Sequence, residues 1–105
     1  MKRTFRDFQE KLLEDLKNPE LAHAYLNEAL KDEDQRIFLL ALKNVFEAQG
    51  ETMTDIAKKS HLSRENIYRI LSNKGNPKIT SIISLLHAVG FSLAVQPNDK
   101  RSNRR

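Results

Sequence analysis

The feature that most limits the fold of this chain is the recurrence of apolar residues at every third or fourth position along most of its length. Phe5, Phe8, Leu12 and Leu16 show this spacing in the first segment. The spacing is typical of amphipathic α-helices. Because Gly, Pro and Asn interrupt the pattern repeatedly, the helices must be short. The pattern predicts an all-α fold, a compact helical bundle.

The first half of the chain carries the signals of three helices. Asn18-Pro19 is a helix start, with Asn18 as the N-cap and Pro19 at the first helical position, where its missing N–H is not needed. The acidic residues 32–34 favour a further helix start, since carboxylates interact with the positive end of the helix dipole. Gly50 is suited to end that helix. Residues 1–50 are therefore predicted to form N-terminal helices that serve as a scaffold.

The second half of the chain is predicted to contain shorter helices. Thr52 and Asp55 have the spacing of a capping box, although Thr54 is a competing N-cap. Ser63 is suited to cap the next helix, so only about three residues join the two. The breaker at 73–77 ends the second of these helices.

The end of the chain changes its periodicity. Thr80 is predicted to cap a last helix, after which Phe91, Leu93 and Val95 alternate with polar or small residues, as in a β-strand. A strand needs a partner for its backbone groups. We expect it to pair with the same strand of a second subunit, so that these three residues form a dimer interface. Pairing with an extended stretch near residues 4–8 is the alternative.

Two short helices joined by about three residues are the parts of a helix-turn-helix, whose second helix enters the DNA major groove. Ile56, Ile67 and Ile70 fall where such a unit needs apolar contacts. The remaining positions of the second helix then face outward. The outward residues predicted to contact DNA are Ser63, Arg64, Glu65, Asn66, Tyr68 and Arg69.

These outward side chains have the hydrogen-bonding groups that reading DNA requires. Arg64 and Arg69 can bind guanine through two hydrogen bonds or clamp a phosphate, and Asn66 can pair with adenine. Glu65 can accept from cytosine or interact with the helix dipole, and Tyr68 can contact a phosphate or a thymine methyl. The candidates for sequence-independent phosphate contacts are Thr54, Lys58, Lys59, Lys74 and Lys78.

The charge of the chain is unevenly distributed. Residues 1–50 hold eight Lys or Arg and ten Asp or Glu, a net charge of 8 − 10 = −2. Residues 51–105 hold ten and four, a net charge of 10 − 4 = +6. A basic half favours a polyanionic partner, because neutralising phosphates releases counterions. Double-stranded DNA fits this requirement.

Several functional classes are disfavoured by what the sequence lacks. Without Cys there is no thiol nucleophile and no thiolate metal site, which fits a reducing cytosol. The spacings of the three His residues do not suggest a metal site, and the three Gly residues form no phosphate loop. No secretory or membrane-spanning segment is visible. We predict a cytoplasmic protein that is not an enzyme and needs no cofactor.

Three motifs, "YLNEAL" at 25–30, "LSRENIYRIL" at 62–71 and "GNP" at 75–77, occur here in a specific order. Together they resemble the HigA-like addiction-module antidote family, whose members carry a Cro and phage-repressor (Xre) type of helix-turn-helix. The resemblance spans roughly residues 16–95. It departs from the family pattern at His61, where Gly is usual and where a positive φ would be unusual, although His enters that region more often than most side chains. It also departs at Glu51-Thr52, which look inserted.

The resemblance implies an antitoxin with two activities. It would bind operator DNA to repress its own operon, and it would neutralise a RelE/HigB-like ribonuclease toxin by direct binding. We expect the toxin to contact residues 1–50, and residues 51–97 to bind operator DNA as a homodimer within the same compact domain. Residues 98–105 are predicted to be a disordered basic tail. A transcriptional regulator without a toxin, and an inhibitor that no longer binds DNA, are the alternatives.

Overall fold

A computed structural model describes residues 4–72 and 76–98 of the chain. These two ranges contain six α-helices, so the prediction of an all-α fold is confirmed. None of the helices in these ranges is long and apolar enough to cross a membrane. The helices are α1 (Phe5–Asp15), α2 (Pro19–Leu30), α3 (Gln35–Ala48), α4 (Met53–Ser60), α5 (Arg64–Leu71) and α6 (Ile79–Ala88).

Polar residues cap α2 and α3. The cap of α2 is the predicted Asn18, whereas the acidic cluster 32–34, predicted to form the first turn of α3, precedes that helix. The side chain of Asn18 accepts hydrogen bonds from the backbone N–H groups of Glu20 and Leu21, and Pro19 is the first residue of α2. Asp34 caps α3 and pairs with the Arg36 guanidinium at 2.7 Å. Hydrogen bonds from the Arg36 side chain and backbone lower the pKa of Asp34 to about 2. Asp34 is therefore ionised over the physiological pH range.

Gly50 ends α3 in the way that its position in the sequence predicts. Its φ of 72° lies in the left-handed region, which glycine enters without steric cost. The backbone N–H of Glu51 donates to the carbonyl of Phe46 at 3.2 Å, which is the 6→1 hydrogen bond of a Schellman motif. The same pattern recurs at Gly90, after α6. Both glycines thus reverse the chain so that the next element packs back on the core.

The core is built around α3, which packs against α1, α2 and α5. Eight of its fourteen residues are buried, and Leu42 and Val45 are completely inaccessible. The contact between α3 and α5 joins the N-terminal helices to the α4–α5 pair, and α4 packs on α6. The largest completely buried side chains are Leu42, Ile56, Ile67, Leu85 and Val45.

A buried polar residue on α3 joins the three N-terminal helices. Asn44 is only 7% exposed. Its amide Nδ2 donates to the Tyr25 hydroxyl on α2 at 2.9 Å, and its Oδ1 accepts from the Gln9 side chain on α1 at 3.4 Å. Because a buried amide without partners is costly, these bonds favour one arrangement of the three helices over others.

The prediction of a C-terminal β-strand is wrong. Residues 91–98 form no strand, and the described chain contains none. Phe91 is half-buried against the core, Leu93 is 36% exposed and Val95 is 99% exposed. Alternating apolar residues indicate the two faces of an extended chain, but a strand also needs a neighbouring strand for its hydrogen bonds. Pairing with residues 4–8 is also wrong, because α1 occupies that stretch.

One helix start also differs from the prediction. Helix α6 begins at Ile79, one residue before the predicted cap Thr80, and Lys78 occupies the N-cap position without a side-chain cap. Pro77 explains the shift, because a proline fixes its own φ and restricts the residue before it, so the helix can begin soon after it. Candidate Lys74 lies outside the described residues, as does the predicted disordered tail except for Asn98.

The Asn44 hydrogen bonds generate a prediction about stability. Asn44→Ala should lower the free energy of unfolding by about 1–3 kcal/mol, because it leaves a cavity and removes the partner of the Tyr25 hydroxyl. Tyr25→Phe should cost about 1 kcal/mol. If the two groups interact, the double variant should lose less than the sum of the single losses, as measured by urea denaturation. Additive losses would show that the hydrogen bond contributes nothing.

Candidate nucleic-acid interface

The turn between α4 and α5 contains a residue in the left-handed conformation. His61 has φ 63° and ψ 26°, and its N–H donates to the carbonyl of Ala57 at 2.9 Å. His61 is the one non-glycine residue with a positive φ in the described chain, and this conformation is uncommon for a residue other than Gly. Ser60 is buried, and its hydroxyl accepts from the N–H of Leu62 at 3.3 Å. The hydroxyl of Ser63 then caps α5. Three residues therefore reverse the chain with its polar groups satisfied.

The inner face of the two helices is apolar, as the spacing predicts. Ile56 on α4 and Ile67 on α5 are completely buried, and Ile70 is 4% exposed. Leu62 in the turn and Ala57 on α4 are half-buried and pack against this core. The contacts fix α5 against α4 and α3 and leave its other side in solvent.

The outer face of α5 presents most of the predicted DNA-contacting residues to solvent. Tyr68 is 57% exposed, and Asn66 is the half-buried member of the set. Thr54 and Lys58 on α4 are exposed as well. The residues exposed on or just before α5 are Ser63, Arg64, Glu65, Tyr68 and Arg69.

Two hydrogen bonds link these outward residues to each other. The Arg64 guanidinium approaches the Thr54 hydroxyl at 3.4 Å, which joins the start of α5 to the start of α4. The Arg69 guanidinium donates to Asn66 Oδ1 at 2.6 Å. Asn66 therefore holds Arg69 at the surface through one of the two lone pairs of its amide oxygen. The geometry gives Asn66 a role in positioning Arg69 that its spacing in the sequence does not reveal.

The two lysines of α4 differ in their surroundings. Lys59 forms an ion pair with Glu51 at 2.8 Å, and this hydrogen bond raises the pKa of Lys59 above its ordinary value. Lys58 has no ion-pair partner among the described residues. Hydrogen bonds from Thr52 lower the pKa of Asp55, which keeps the capping box of α4 charged at neutral pH. Lys58 is therefore the better placed of the two lysines for a phosphate contact.

A shallow groove runs along one side of α5. Asn66 and Arg69 line it together with Asn76, Lys78 and Ser81. Asn76 lies 3.4 Å from the Gln35 side chain of α3, to which it is hydrogen-bonded. The sequence marks Lys78 as a phosphate candidate but gives no signal for Asn76 or Ser81. The Gln35 contact spans 41 positions and is invisible to local patterns.

A metal site is not indicated in this region. In residues 4–72 and 76–98, no three His, Asp or Glu side chains are grouped so that they could hold a metal ion. The interface consists of hydrogen-bonding and cationic side chains on a rigid helix pair, an arrangement suited to binding.

Comparisons with known proteins support the antidote resemblance. A family described as "Probable addiction module antidote protein" matches residues 6–97 of the chain. The chain belongs to this family. A Haemophilus influenzae relative, described as an uncharacterized protein, is 31% identical over 96 residues, which cover 91% of this chain and 95% of the relative. No solved structure matches the chain.

Membership of the antidote family has direct consequences for function. An antidote implies a toxin as its partner, and proteins of such a family are generally not enzymes. The match covers the three N-terminal helices as well as α4, α5 and α6, so nearly the whole described bundle is the family unit.

The left-handed turn residue generates a prediction about stability. His61→Gly should leave the free energy of unfolding unchanged or raise it by up to about 1 kcal/mol, because glycine removes the Cβ strain at positive φ but adds freedom to the unfolded chain. Lys58→Gly, the matched control inside α4, should cost about 1 kcal/mol. Urea denaturation measures both. Equal losses for the two variants would refute the assignment of strain to His61.

Proposed function

We propose that this chain is the antitoxin of a type II toxin–antitoxin module, which represses its own operon and neutralises a RelE/HigB-like ribonuclease toxin. The observation that carries the proposal is the outer face of α5, where polar side chains stand on a helix-turn-helix within an antidote-family chain. Double-stranded operator DNA and the cognate toxin are the two partners. The cytoplasm, which holds both, is the proposed location.

The DNA-binding role follows from the groups that α5 presents. Arg69, held by Asn66, and Arg64, held near Thr54, can each reach guanine or a phosphate. Glu65 and Tyr68 add an acceptor and a hydroxyl along the same face. The flanking phosphate contacts are assigned to Ser63, Thr54, Lys58 and Lys74, of which Lys74 lies outside the described residues.

The distribution of charge supports two partners of opposite sign. Residues 4–50 hold six Lys or Arg and ten Asp or Glu, a net charge of 6 − 10 = −4. Residues 51–72 and 76–98 together hold five and three, a net charge of 5 − 3 = +2. DNA favours the positive helix-turn-helix half. A ribonuclease that binds RNA presents positive charge and favours the negative half.

A homodimer is part of the proposal, because repressors of this geometry read two half-sites about one DNA turn apart. Phe91, Leu93 and Val95 remain the proposed contacts, now as apolar side chains on an irregular segment. Leu93 and Val95 are exposed and available for such contacts. The interface would depend on side-chain packing.

Substitutions on the two helices separate base reading from phosphate binding. Arg69→Ala should lower operator affinity by about 1–3 kcal/mol and relax sequence preference, because the guanidinium reads a base. Lys58→Ala should weaken binding to operator and to scrambled DNA alike. It should also reduce the slope of the logarithm of affinity against the logarithm of salt concentration by the contribution of about one phosphate contact. Fluorescence anisotropy measures both.

The control for these measurements is Glu47→Gln, an exposed change on α3 in the acidic half, which should leave sequence preference unchanged. If Arg69→Ala and Lys58→Ala both bind operator like the parent protein while remaining folded, the assigned DNA face is wrong. A regulator without a toxin would show the same DNA behaviour, but no gene for a small basic protein would lie beside its own.

A further inference from the structure

The three acidic side chains described in the C-terminal half of the chain differ in their contacts. Glu51 forms an ion pair with Lys59 at 2.8 Å, and Asp55 accepts the backbone N–H of Thr52 at 3.3 Å in the capping box of α4. Glu65 is exposed on α5, and its carboxylate forms neither an ion pair nor a hydrogen bond with any described residue. Among the described residues of that half, Glu65 is therefore the one carboxylate without a partner.

The cation best spaced to neutralise Glu65 is bonded to another residue. Arg69 lies four positions after Glu65, the orientation in which a glutamate and a cation pair most favourably on a helix. The Arg69 guanidinium instead donates to Asn66 Oδ1 at 2.6 Å. The guanidinium of the adjacent Arg64 lies 3.4 Å from the Thr54 hydroxyl of α4. The negative charge of Glu65 therefore stays unpaired, although two arginines lie close to it in the sequence.

Glu65 occupies the centre of the outer face of α5. Successive residues of an α-helix are about 100° apart around its axis. Ile67 and Ile70 are buried in the core, and with this spacing Glu65 falls almost opposite the direction midway between them. Tyr68, which is 57% exposed, and the exposed Arg69 fall on either side of Glu65. If this face enters the major groove, Glu65 comes closest to the base edges.

An ionised carboxylate at this place is selective, because it can only accept hydrogen bonds. In the major groove guanine and thymine offer acceptors and no donor, so both repel it. The amino group of adenine lies between two acceptors, its own N7 and O4 of the paired thymine, whereas the amino group of cytosine has an acceptor on one side only. Cytosine is therefore the base whose edge best accommodates the Glu65 carboxylate.

The charge of Glu65 also lowers the affinity for DNA that lacks the matching base. Phosphates line the groove, and their repulsion of a carboxylate weakens binding to every sequence. A hydrogen bond from cytosine offsets this repulsion at the matching sequence alone. Specificity is a difference between two affinities, so a group that weakens the wrong complex contributes to it.

We propose that Glu65 is a specificity-determining residue of α5, which selects cytosine at one base pair of each half-site and disfavours the other bases by repulsion. This inference rests on the proposed function, because it takes α5 to bind operator DNA. The alternative role for Glu65, the second residue of α5, is an interaction with the positive end of the helix dipole. That role would change the stability of the helix and leave its base preference as it is.

The test compares Glu65→Gln with the parent chain by fluorescence anisotropy, on the upstream duplex, on its single base-pair substitutions and on a scrambled duplex. Replacing one particular C·G pair should weaken binding of the parent by about tenfold or more. Glu65→Gln should reduce that loss to about threefold or less, because an amide donates as well as accepts. It should also bind the scrambled duplex about two- to fivefold more tightly, since one repulsive charge is gone.

The matched control is Glu47→Gln, the same chemical change at an exposed position of α3. It should leave the base preference unchanged and alter binding to the scrambled duplex less than Glu65→Gln does. Urea denaturation of both variants measures any change in the free energy of unfolding.

Each outcome has a separate meaning. If the parent chain prefers the upstream duplex and Glu65→Gln keeps the same base-pair preferences, the inference is wrong while the proposed function stands. A loss of stability in Glu65→Gln without a change in base preference would assign the carboxylate to the helix dipole and refute the inference. If the variant loses its preference at an A·T pair instead, the selection of cytosine is wrong. If the parent binds both duplexes equally, the DNA half of the proposed function fails, and this inference fails with it.

Discussion

The burial of α3 on several sides is the constraint on which the other helices depend. Eight of its fourteen residues are buried, and α1, α2 and α5 each cover part of that surface. An apolar helix surface of this extent would be unstable in water without such cover. Asn44 adds a polar requirement within that surface, because its amide must meet Tyr25 and Gln9. The N-terminal half is therefore a support for the α4–α5 pair, and part of its own outer surface remains exposed.

The α4–α5 unit shows how a short sequence places functional side chains accurately. Ile67 and Ile70 are held in the core, so the rest of α5 has a fixed rotation about its axis. The Ser63 cap fixes where the helix begins, and the turn at His61 fixes its direction. With both set, Arg64 and Arg69 can only project from the outer face. Recognition of DNA by this unit would then need little conformational change, which favours affinity.

Local patterns predicted much of this arrangement from the sequence. The caps Asn18, Thr52 and Ser63 depend on neighbours within a few positions. The wrong prediction of a C-terminal strand depends on a partner that is distant in the sequence. The alternation after Gly90 could not reveal that the described chain offers no strand to pair with.

Contacts between residues that are far apart in the sequence also cannot be predicted from local patterns. The hydrogen bond between Asn44 and Tyr25 joins residues 19 positions apart, and the sequence gives no sign of it. The apolar spacing at the start of the chain predicts a helix, and α1 confirms it, but spacing alone does not tell which end of an apolar face is covered. The exposure of Phe5 depends on how α1 packs on α3, which the sequence does not reveal.

The central claim is that α5 reads DNA while the acidic helices bind a different partner. The most direct measurement titrates the full chain against its own upstream DNA and against a scrambled duplex at two salt concentrations. If α5 reads DNA, the chain should bind the upstream DNA more tightly by about 10³-fold or more, and this preference should persist at the higher salt. Weak and equal binding to both duplexes would contradict it and leave the basic half a general polyanion surface.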